Sequence, residues 1–355
     1  MKIAQVPPLY ESVPPKLYGG TERVVSYLTD ELIRQGHDVV LFGTCDSRTK
    51  ATIFPVCEQA LRLNKDCKDP LAWHIYQLQL VLEHAKEFDI IHFHNDYLHY
   101  PFSKKAGYSH ITTLHGRLDM PDLKPIYRKF YDIPVVSISD SQRAPLPHAN
   151  WLDTVYHGLP EDLYQQGNGE GGYLAFLGRI SPEKRPDRAI EIARQARIPL
   201  KIAAKVDAVD EQYYEKVIRP MLDDPFVEFI GEIGENEKGA FLGNALALLF
   251  PIDWPEPFGM VLIEAMANGT PVIAYNRGSV PEIITDGTTG FIVNSQKQAI
   301  QAVENLHRIS RTTCRKTFER SFSSCIMAEK YVSNYERLLT PKTLTLYRKL
   351  QIEKV

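Results

Sequence analysis

The sequence has few cysteines, little net charge and no long apolar run. Its five cysteines form no CxxC pair, and their odd number and scatter fit a reducing cytosol better than a disulfide framework. The formal net charge of -3 gives no support to a nucleic-acid partner. No apolar stretch is long enough to span a bilayer, and no secretory signal precedes the first predicted strand. We therefore expect a cytoplasmic protein, with a peripheral position at the inner membrane face as the alternative.

Two common ligand signatures are also missing. Residues 2–43 predict a strand, a loop, a helix and a second strand, a βαβ unit. The unit lacks the GxGxxG spacing and the terminal acidic residue of a dinucleotide site. No DxD-like carboxylate pair suited to a metal–diphosphate bridge stands out, so we expect no cofactor and no metal. Gly19 and Gly20, where the helix starts, are interpreted either as neighbours of a phosphate or as a simple turn.

Histidines follow two of the predicted strands. His92 and His94 lie two apart on one strand and therefore share a face. With Asp96 or His99 they could form a zinc site, although the spacing matches no recognised ligand signature. The alternative is that one histidine packs in the core and another lines a cleft. His115 ends the next strand, and ligands of parallel sheets bind at the carboxyl ends of strands.

Strand-like and helical runs alternate along the chain, which is typical of parallel sheets covered by helices. The length of 355 residues favours two domains, and the glycine-rich stretch at 157–172 is interpreted as a flexible joint. The predicted fold is α/β, with two Rossmann-like doubly wound domains that face each other across a cleft. They span 1–165 and 172–324, and a C-terminal helix at about 325–355 is expected to rejoin the first domain. A separate helix is predicted at 341–353.

Residues 255–269 combine a proline-flanked loop with an apolar helix, predicted over 259–268. Because this helix is apolar on nearly every side, it should be buried, and Gly269 should end it. Its N-terminus offers free N–H groups and a positive dipole end to an anion. Glu264 lies about one turn inside, and a buried carboxylate needs a partner. The residues alone leave a structural arginine, a backbone N–H and a ligand hydroxyl open.

Two basic residues, Arg179 and Lys184, follow the first strand of the second half. Arginine through its planar fork and lysine as a point charge suit a diphosphate, and a solvated basic loop is the alternative. Since Glu256 and Glu264 also lie near strand ends of this half, the four side chains can converge on one edge of the sheet.

Several of these segments resemble the motifs of one enzyme family. Glu256 and Glu264, separated by seven residues, resemble the two-glutamate signature of retaining glycosyltransferases. Gly178–Arg185 resembles the GRxxxxK loop of these enzymes, and 278–282 resembles their GGxPE turn, with Ser279 in place of the second glycine. Three further features fit: Gly19-Gly20, the strand that ends in His115, and the turn at 139–141. The chain thus resembles glycosyltransferase family 4, of GT-B fold, over nearly its whole length.

The resemblance implies transfer of a hexose from a nucleotide-diphosphate sugar to an acceptor hydroxyl, with retention at the anomeric carbon. We favour UDP-glucose as the donor because it is a frequent donor in this family. Arg179 and Lys184 would stabilise the diphosphate leaving group, and Glu256 would contact sugar hydroxyls. Glu264 would hold the ribose hydroxyls, and His115 would face the sugar near its anomeric carbon. The remaining implied donor contacts are at Gly19, Gly20, Phe258, Gly259, Met260 and Val261.

The reaction course is also an expectation. Retention through a covalent intermediate needs a carboxylate on the far face of the sugar, and no residue stands out for that role. We therefore expect front-face attack, with the leaving phosphate taking the acceptor proton. Arginine, lysine and a helix N-terminus can stabilise the leaving charge without a metal. Because one fold hosts several chemistries, a sugar-nucleotide epimerase, a phosphorylase and a non-catalytic sugar-nucleotide-binding protein stay open.

The acceptor is not fixed by the sequence, and a sugar, a lipid-linked sugar and a small molecule all fit. Residues 116–131 contain Lys124, Arg128 and Lys129 among aromatic and aliphatic side chains. We expect an amphipathic surface helix there, with weak contact to a membrane surface as the alternative.

Overall fold

A computed structural model describes residues 1–16, 19–105 and 107–340. The chain divides into two compact units. Unit 1 comprises Met1–Ile138, Arg143–Gly158 and the segment that begins at Ser324, and unit 2 comprises Ser139–Gln142 and Leu159–Ser323. The helix predicted at 341–353 lies outside the described residues.

Unit 1 is built on a parallel sheet of seven strands in the order β3-β2-β1-β4-β5-β6-β7. The order reverses direction between β1 and β4, as in doubly wound sheets. The central strand β4 is apolar or histidine at every position and fully buried, because a parallel sheet is covered on both faces. The strands are β1 Lys2–Val6, β2 Asp38–Thr44, β3 Thr52–Cys57, β4 Ile90–Phe93, β5 His110–Thr113, β6 Val135–Ser137 and β7 Trp151–Thr154.

The helices that accompany this sheet include one from the C-terminal part of the chain. They are α1 Gly20–Arg34, α2 Pro70–His84, α3 Tyr100–Ser103 and α4 Leu123–Lys129, together with α13 Ser324–Leu339. The short helix α5 Asp140–Arg143 belongs to unit 2 except for its last residue. The hydroxyl of Tyr335 on α13 lies 2.7 Å from Nδ1 of His92. The hydroxyl of Tyr331 lies 2.8 Å from that of Thr113. These contacts join α13 to strands β4 and β5, so the C-terminal helix belongs to unit 1.

Unit 2 repeats the same architecture with six parallel strands in the order β10-β9-β8-β11-β12-β13. The strands are β8 Leu174–Ile180, β9 Leu200–Val206, β10 Val227–Gly231, β11 Ala247–Phe250, β12 Val272–Tyr275 and β13 Gly290–Val293. The helices are α6 Pro186–Ala196, α7 Glu211–Tyr213, α8 Glu235–Asn244, α9 Met260–Ala267, α10 Val280–Ile283, α11 Gln296–Glu304 and α12 Arg311–Ser321. Two Rossmann-like units are therefore present, which confirms the predicted α/β class.

From Leu159 onward the glycine-rich stretch is part of unit 2, and its interpretation as a flexible joint is wrong for residues 167–171. The Gly167 N–H donates to the carbonyl of Asn268 at 3.0 Å, and the N–H groups of Gly169 and Gly171 donate to residues 243 and 244. A Cβ at Gly167 would lie 2.2 Å from the carbonyl oxygen of Gly243. Glycine is needed here for close backbone approach. Apart from the short segment 139–142, which is assigned to unit 2, the chain passes between the units at Gly158–Leu159 and Ser323–Ser324.

Two short strands, β7 and β13, extend the sheets beyond what the sequence predicts. Within the described ranges, no helix has both the length and the apolar character needed to cross a bilayer. The predicted helix at 116–131 is confined to α4, where Leu123 and Tyr127 are buried.

Candidate functional site

The loop after β8 carries the two predicted basic residues. Arg179 is the second-last residue of β8, and the loop then turns so that the Lys184 N–H donates to the Ser181 carbonyl at 3.1 Å. Arg185 has a left-handed φ of 55°, and Pro186 starts α6 with a φ that suits the first helical position. The turn therefore places Lys184 at the carboxyl edge of the sheet, beside the end of β8.

A second loop, between β11 and α9, is bound to the first. The Asp253 N–H donates to the Glu183 carbonyl at 2.9 Å. The Lys184 ammonium forms an ion pair with the Glu256 carboxylate, which also accepts from Trp254 Nε1 at 2.9 Å. The Lys184 ammonium lies 5.1 Å from the centre of a Trp254 ring, within the range of a cation–π contact. The structure thus brings together Lys184 and Glu256, which are 72 positions apart.

Arg179 lies in a strongly acidic environment. Its guanidinium pairs with Glu183 and lies 3.5 Å from carboxylate oxygens of both Asp207 and Asp210. Burial alone would raise the pKa of Asp207, but its hydrogen bond with Lys205 and the charge of Arg179 outweigh burial and lower it. Burial raises the pKa of Asp210 despite Arg179. The sequence analysis missed both aspartates, although they follow β9 and the strand-end argument could have found them.

The Glu256 loop is supported by the turn at 278–279. Gly278 has a φ of 54°, and a Cβ there would lie 2.4 Å from the backbone nitrogen and oxygen of Glu256. The Ser279 N–H donates to the Glu256 carbonyl at 3.0 Å, and its hydroxyl donates to the Phe258 carbonyl at 2.8 Å. Ser279, the departure from the glycine of the motif, therefore adds a bond that holds the loop.

Helix α9 follows this loop and matches the predicted buried helix. Gly259 precedes it with a φ of 82°, and Phe258 is 2% exposed. The N–H groups of Met260 and Val261 lie in the first turn, where no earlier helical carbonyl can accept them. The positive end of the helix dipole therefore points toward the loop that carries Glu256.

Glu264 has a side-chain partner that the sequence analysis did not name. The carboxylate belongs to a residue that is only 4% exposed, and its Oε1 accepts from Lys238 Nζ at 2.8 Å. Lys238 lies on α8 and is also 3.4 Å from Oε2 of Glu235. The partner is thus a lysine, neither a structural arginine nor a backbone N–H. In the sequence, the only sign of this partner was the positive charge of Lys238 in the segment that follows β10.

In unit 1, His115 belongs to a buried histidine cluster. Its Nε2 lies 2.9 Å from Nδ1 of His94, and Nε2 of His94 lies 2.7 Å from Oε1 of Gln5. The rings of His115 and His157 stack with centres 5.2 Å apart. Burial lowers the pKa of His115 to about 3, so its imidazole is neutral at pH 7.

The histidines of the zinc hypothesis use their ring nitrogens within the protein. His92 lies 2.7 Å from the hydroxyls of both Tyr335 and Thr113. His99 is in another network, 2.7 Å from both Ser103 and Thr112. Among the residues that the structure describes, no group of three or more His, Cys, Asp or Glu is arranged to hold a metal ion. These contacts assign structural roles to His92 and His99.

Two further features of unit 1 are the start of α1 and the residue Asp96. Gly19 precedes α1, and a Cβ at Gly20 would meet no atom of the described residues within 4 Å. Asp96, just after β4, has a left-handed φ of 53°. Burial raises the pKa of its carboxyl group to about 6.

Comparisons with known proteins give one consistent family. Residues 164–317 match the family model described as glycosyl transferases group 1, and residues 18–146 match the model described as glycosyltransferase family 4. An uncharacterized glycosyltransferase of Methanocaldococcus jannaschii is 26% identical over 74% of this chain and 79% of its own length. The D-inositol 3-phosphate glycosyltransferase of Streptomyces scabiei is 32% identical over 41% of this chain and 33% of its own length.

The similarity in structure covers more of the chain. HepE of Anabaena in complex with UDP-glucose aligns with a TM-score of 0.70 and 18% identity, over 95% of this chain and all of HepE (100%). Because the sequence identity is only 18%, this similarity is evidence for the fold alone. For the curated relatives of Klebsiella pneumoniae, Streptomyces scabiei and Nocardia farcinica, by contrast, the matched stretch spans less than half of their own length.

Proposed function

Because the chain belongs to the family 4-type glycosyltransferases, with the GT-B fold, we propose that it transfers a hexose from a nucleoside-diphosphate sugar to an acceptor hydroxyl. We propose UDP-glucose as the donor, in line with the solved complex of HepE, and retention of the anomeric configuration. The observation that carries the proposal is the joined pair of loops in unit 2. They set Lys184, Glu256 and the N-terminus of α9 together at one edge of the sheet.

The proposed roles follow from charge. Breaking the donor leaves negative charge on the diphosphate, which a lysine, an arginine and a helix N-terminus stabilise when they are held in place. Lys184 and Arg179 supply the cations, and Met260 and Val261 supply N–H groups. Both cations are paired with carboxylates, so donor binding exchanges these partners for phosphate oxygens. Glu256 is then released to accept a hydrogen bond from a sugar hydroxyl.

The proposed chemical step is a displacement on one face of the sugar. The bond from the anomeric carbon to the diphosphate oxygen breaks, the bond to the acceptor oxygen forms on the same face, and the acceptor proton passes to the diphosphate oxygen. His115 is neutral at pH 7, which suits the predicted contact with an uncharged sugar; this role, like those of Gly19 and Gly20, stays a prediction. A glycosyl–enzyme adduct detected by mass spectrometry would replace this step with a covalent one.

We further propose that transfer needs no metal, because two cations and the helix N-terminus of α9 already stabilise the leaving charge. Initial rates of the purified protein with and without excess EDTA check this proposal. We expect equal rates, and a rate restored only by Mg²⁺ or Mn²⁺ after chelation would contradict it. Contact with a membrane through α4 also stays a prediction, which sedimentation with anionic vesicles checks.

The test of the proposed function measures nucleoside diphosphate released from UDP-glucose with and without a panel of sugar, lipid-linked and small-molecule acceptors. We expect release that one acceptor class accelerates, together with a product heavier than that acceptor by one hexose. An epimerase would change the sugar without an acceptor. A phosphorylase would need inorganic phosphate for cleavage, and a binding protein would release nothing.

A further inference from the structure

The buried carboxylate of Glu264 is one end of a charged chain across α8 and α9. Lys238 Nζ donates to Oε1 of Glu264 at 2.8 Å and lies 3.4 Å from Oε2 of Glu235. The Tyr164 hydroxyl donates to the other oxygen of Glu235. The side chains of Lys238, Glu264 and Glu235 are 17%, 5% and 19% exposed. One ammonium group thus compensates two largely buried carboxylates.

This arrangement leaves Glu264 with one oxygen committed and one open. Its Oε2 accepts no hydrogen bond from the part of the chain that the structure describes, while Oε1 is fixed by Lys238. A carboxylate oxygen that has no donor among the described residues can accept a hydrogen bond from a ligand hydroxyl, so this oxygen is suited to that role. Because Lys238 fixes the carboxylate from the side of α8, it also decides where the open oxygen lies.

We propose that Lys238 is a positioning residue that holds Glu264 for the ribose hydroxyls of the donor, and thereby makes the site selective for ribonucleoside over 2′-deoxyribonucleoside diphosphates. The inference rests on the proposed function and extends it to the class of nucleotide. A site built to accept a hydrogen bond from a hydroxyl rejects the analogue that lacks it, because its own polar group is left unpaired. A hydrogen bond to a charged group corresponds to a preference of about 10- to 150-fold.

Loss of Lys238 has two separable effects. The carboxylates of Glu264 and Glu235 would remain without their ammonium partner. Their negative charge would repel a nearby diphosphate and weaken the binding of UDP and 2′-deoxy-UDP alike. Glu264 would also lose the bond that fixes its position, which lowers the preference for UDP over 2′-deoxy-UDP. Only the second effect tests positioning, since a general electrostatic or structural role changes both affinities by the same factor.

The experiment measures the dissociation constants of UDP and 2′-deoxy-UDP by titration calorimetry for the wild type and four variants: Lys238→Met, Lys238→Arg, Glu264→Gln and Glu235→Gln. The wild type should prefer UDP by at least about tenfold. In Lys238→Met and Glu264→Gln the ratio should fall to about threefold or less. Lys238→Arg should restore most of the preference. Glu235→Gln should keep it, because the pair of Lys238 and Glu264 remains.

Two outcomes would overturn the inference. One is a Lys238→Met protein that binds more weakly yet keeps the full preference for UDP, and the other is a wild type that binds both compounds equally. If Lys238→Met does not fold, as judged by circular dichroism, Lys238→Gln takes its place. A wild type that binds neither the uridine compounds nor GDP and 2′-deoxy-GDP would instead contradict the proposed function itself.

Discussion

Replacement of Glu256 by glutamine should separate nucleotide binding from sugar transfer. The Glu256 carboxylate pairs with Lys184 and accepts a hydrogen bond from Trp254, so it competes with a diphosphate for the same ammonium group. Glutamine keeps the shape and the acceptor for Trp254 but removes the charge. Lys184 is then available to the phosphate without exchange of partners. We therefore expect Glu256→Gln to bind UDP more tightly than the wild type and to transfer sugar more slowly.

The magnitudes follow from the charges. Removing one like charge about 8 Å from a phosphate is worth about 0.5–2 kcal/mol for effective dielectric constants between about 80 and 20. That corresponds to a dissociation constant of UDP about 2- to 30-fold lower. A lost hydrogen bond between a charged carboxylate and a sugar hydroxyl costs about 1.5–3 kcal/mol. The value of kcat/KM for the sugar nucleotide should therefore fall about 10- to 150-fold.

Calorimetry with UDP and initial rates with the sugar nucleotide measure the two quantities. Glu228→Gln is the matched control, because this substitution changes the net charge equally. Glu228 lies on β10 and pairs with Lys201 of the neighbouring strand β9 at 3.0 Å. It should change neither quantity by more than about twofold. Weaker binding of UDP to Glu256→Gln would refute the assigned competition for Lys184, and an unchanged kcat/KM would refute the assigned contact with a sugar hydroxyl.

Two further predictions concern stability. Burial raises the pKa of Asp96 from 3.8 to about 6, so the folded state binds its proton more tightly than the unfolded one and stability falls as the pH rises through this window. The fall in the free energy of unfolding amounts to at most about 3 kcal/mol. Asp96→Asn should abolish this fall, because asparagine suits a left-handed φ and does not titrate. Urea unfolding at pH 4 and pH 7 measures it, and an equal fall in the variant would contradict the prediction. Gly167→Ala should destabilise the protein by about 1–3 kcal/mol, because the new Cβ would collide with the Gly243 carbonyl, and an unchanged urea midpoint would show that the stretch adapts freely.

The alternation of strands and helices predicted the fold class because parallel strands buried on both faces have a strong apolar signal. The two missed strands lack this signal for different reasons. All four residues of β7 are only partly buried at the edge of the sheet, and β13 is four residues long directly after a turn. The glycine-rich stretch was misinterpreted because composition does not distinguish glycines that bend freely from glycines that permit close packing.

The site was predictable where chemistry and position coincide in one segment. Arg179, Lys184 and Glu256 each lie at or just after a strand end, and the order of a parallel sheet places such residues at one edge. Lys238 was missed because its role depends on how α8 packs beside α9, a tertiary fact without a local pattern. The pairing of His115 with His94 is of the same kind, since it requires the register of β4 with β5.

The central claim is that unit 2 stabilises a nucleoside diphosphate as it leaves a sugar. The most direct test compares kcat for release of UDP from UDP-glucose, with the accelerating acceptor, in Arg179→Ala and in Arg194→Ala. Arg194 lies on α6 and pairs with Glu191 and Asp224. Loss of a group that stabilises charge in the transition state predicts a kcat about 10²- to 10³-fold lower in Arg179→Ala and a normal kcat in Arg194→Ala. Equal turnover in both variants would contradict the claim.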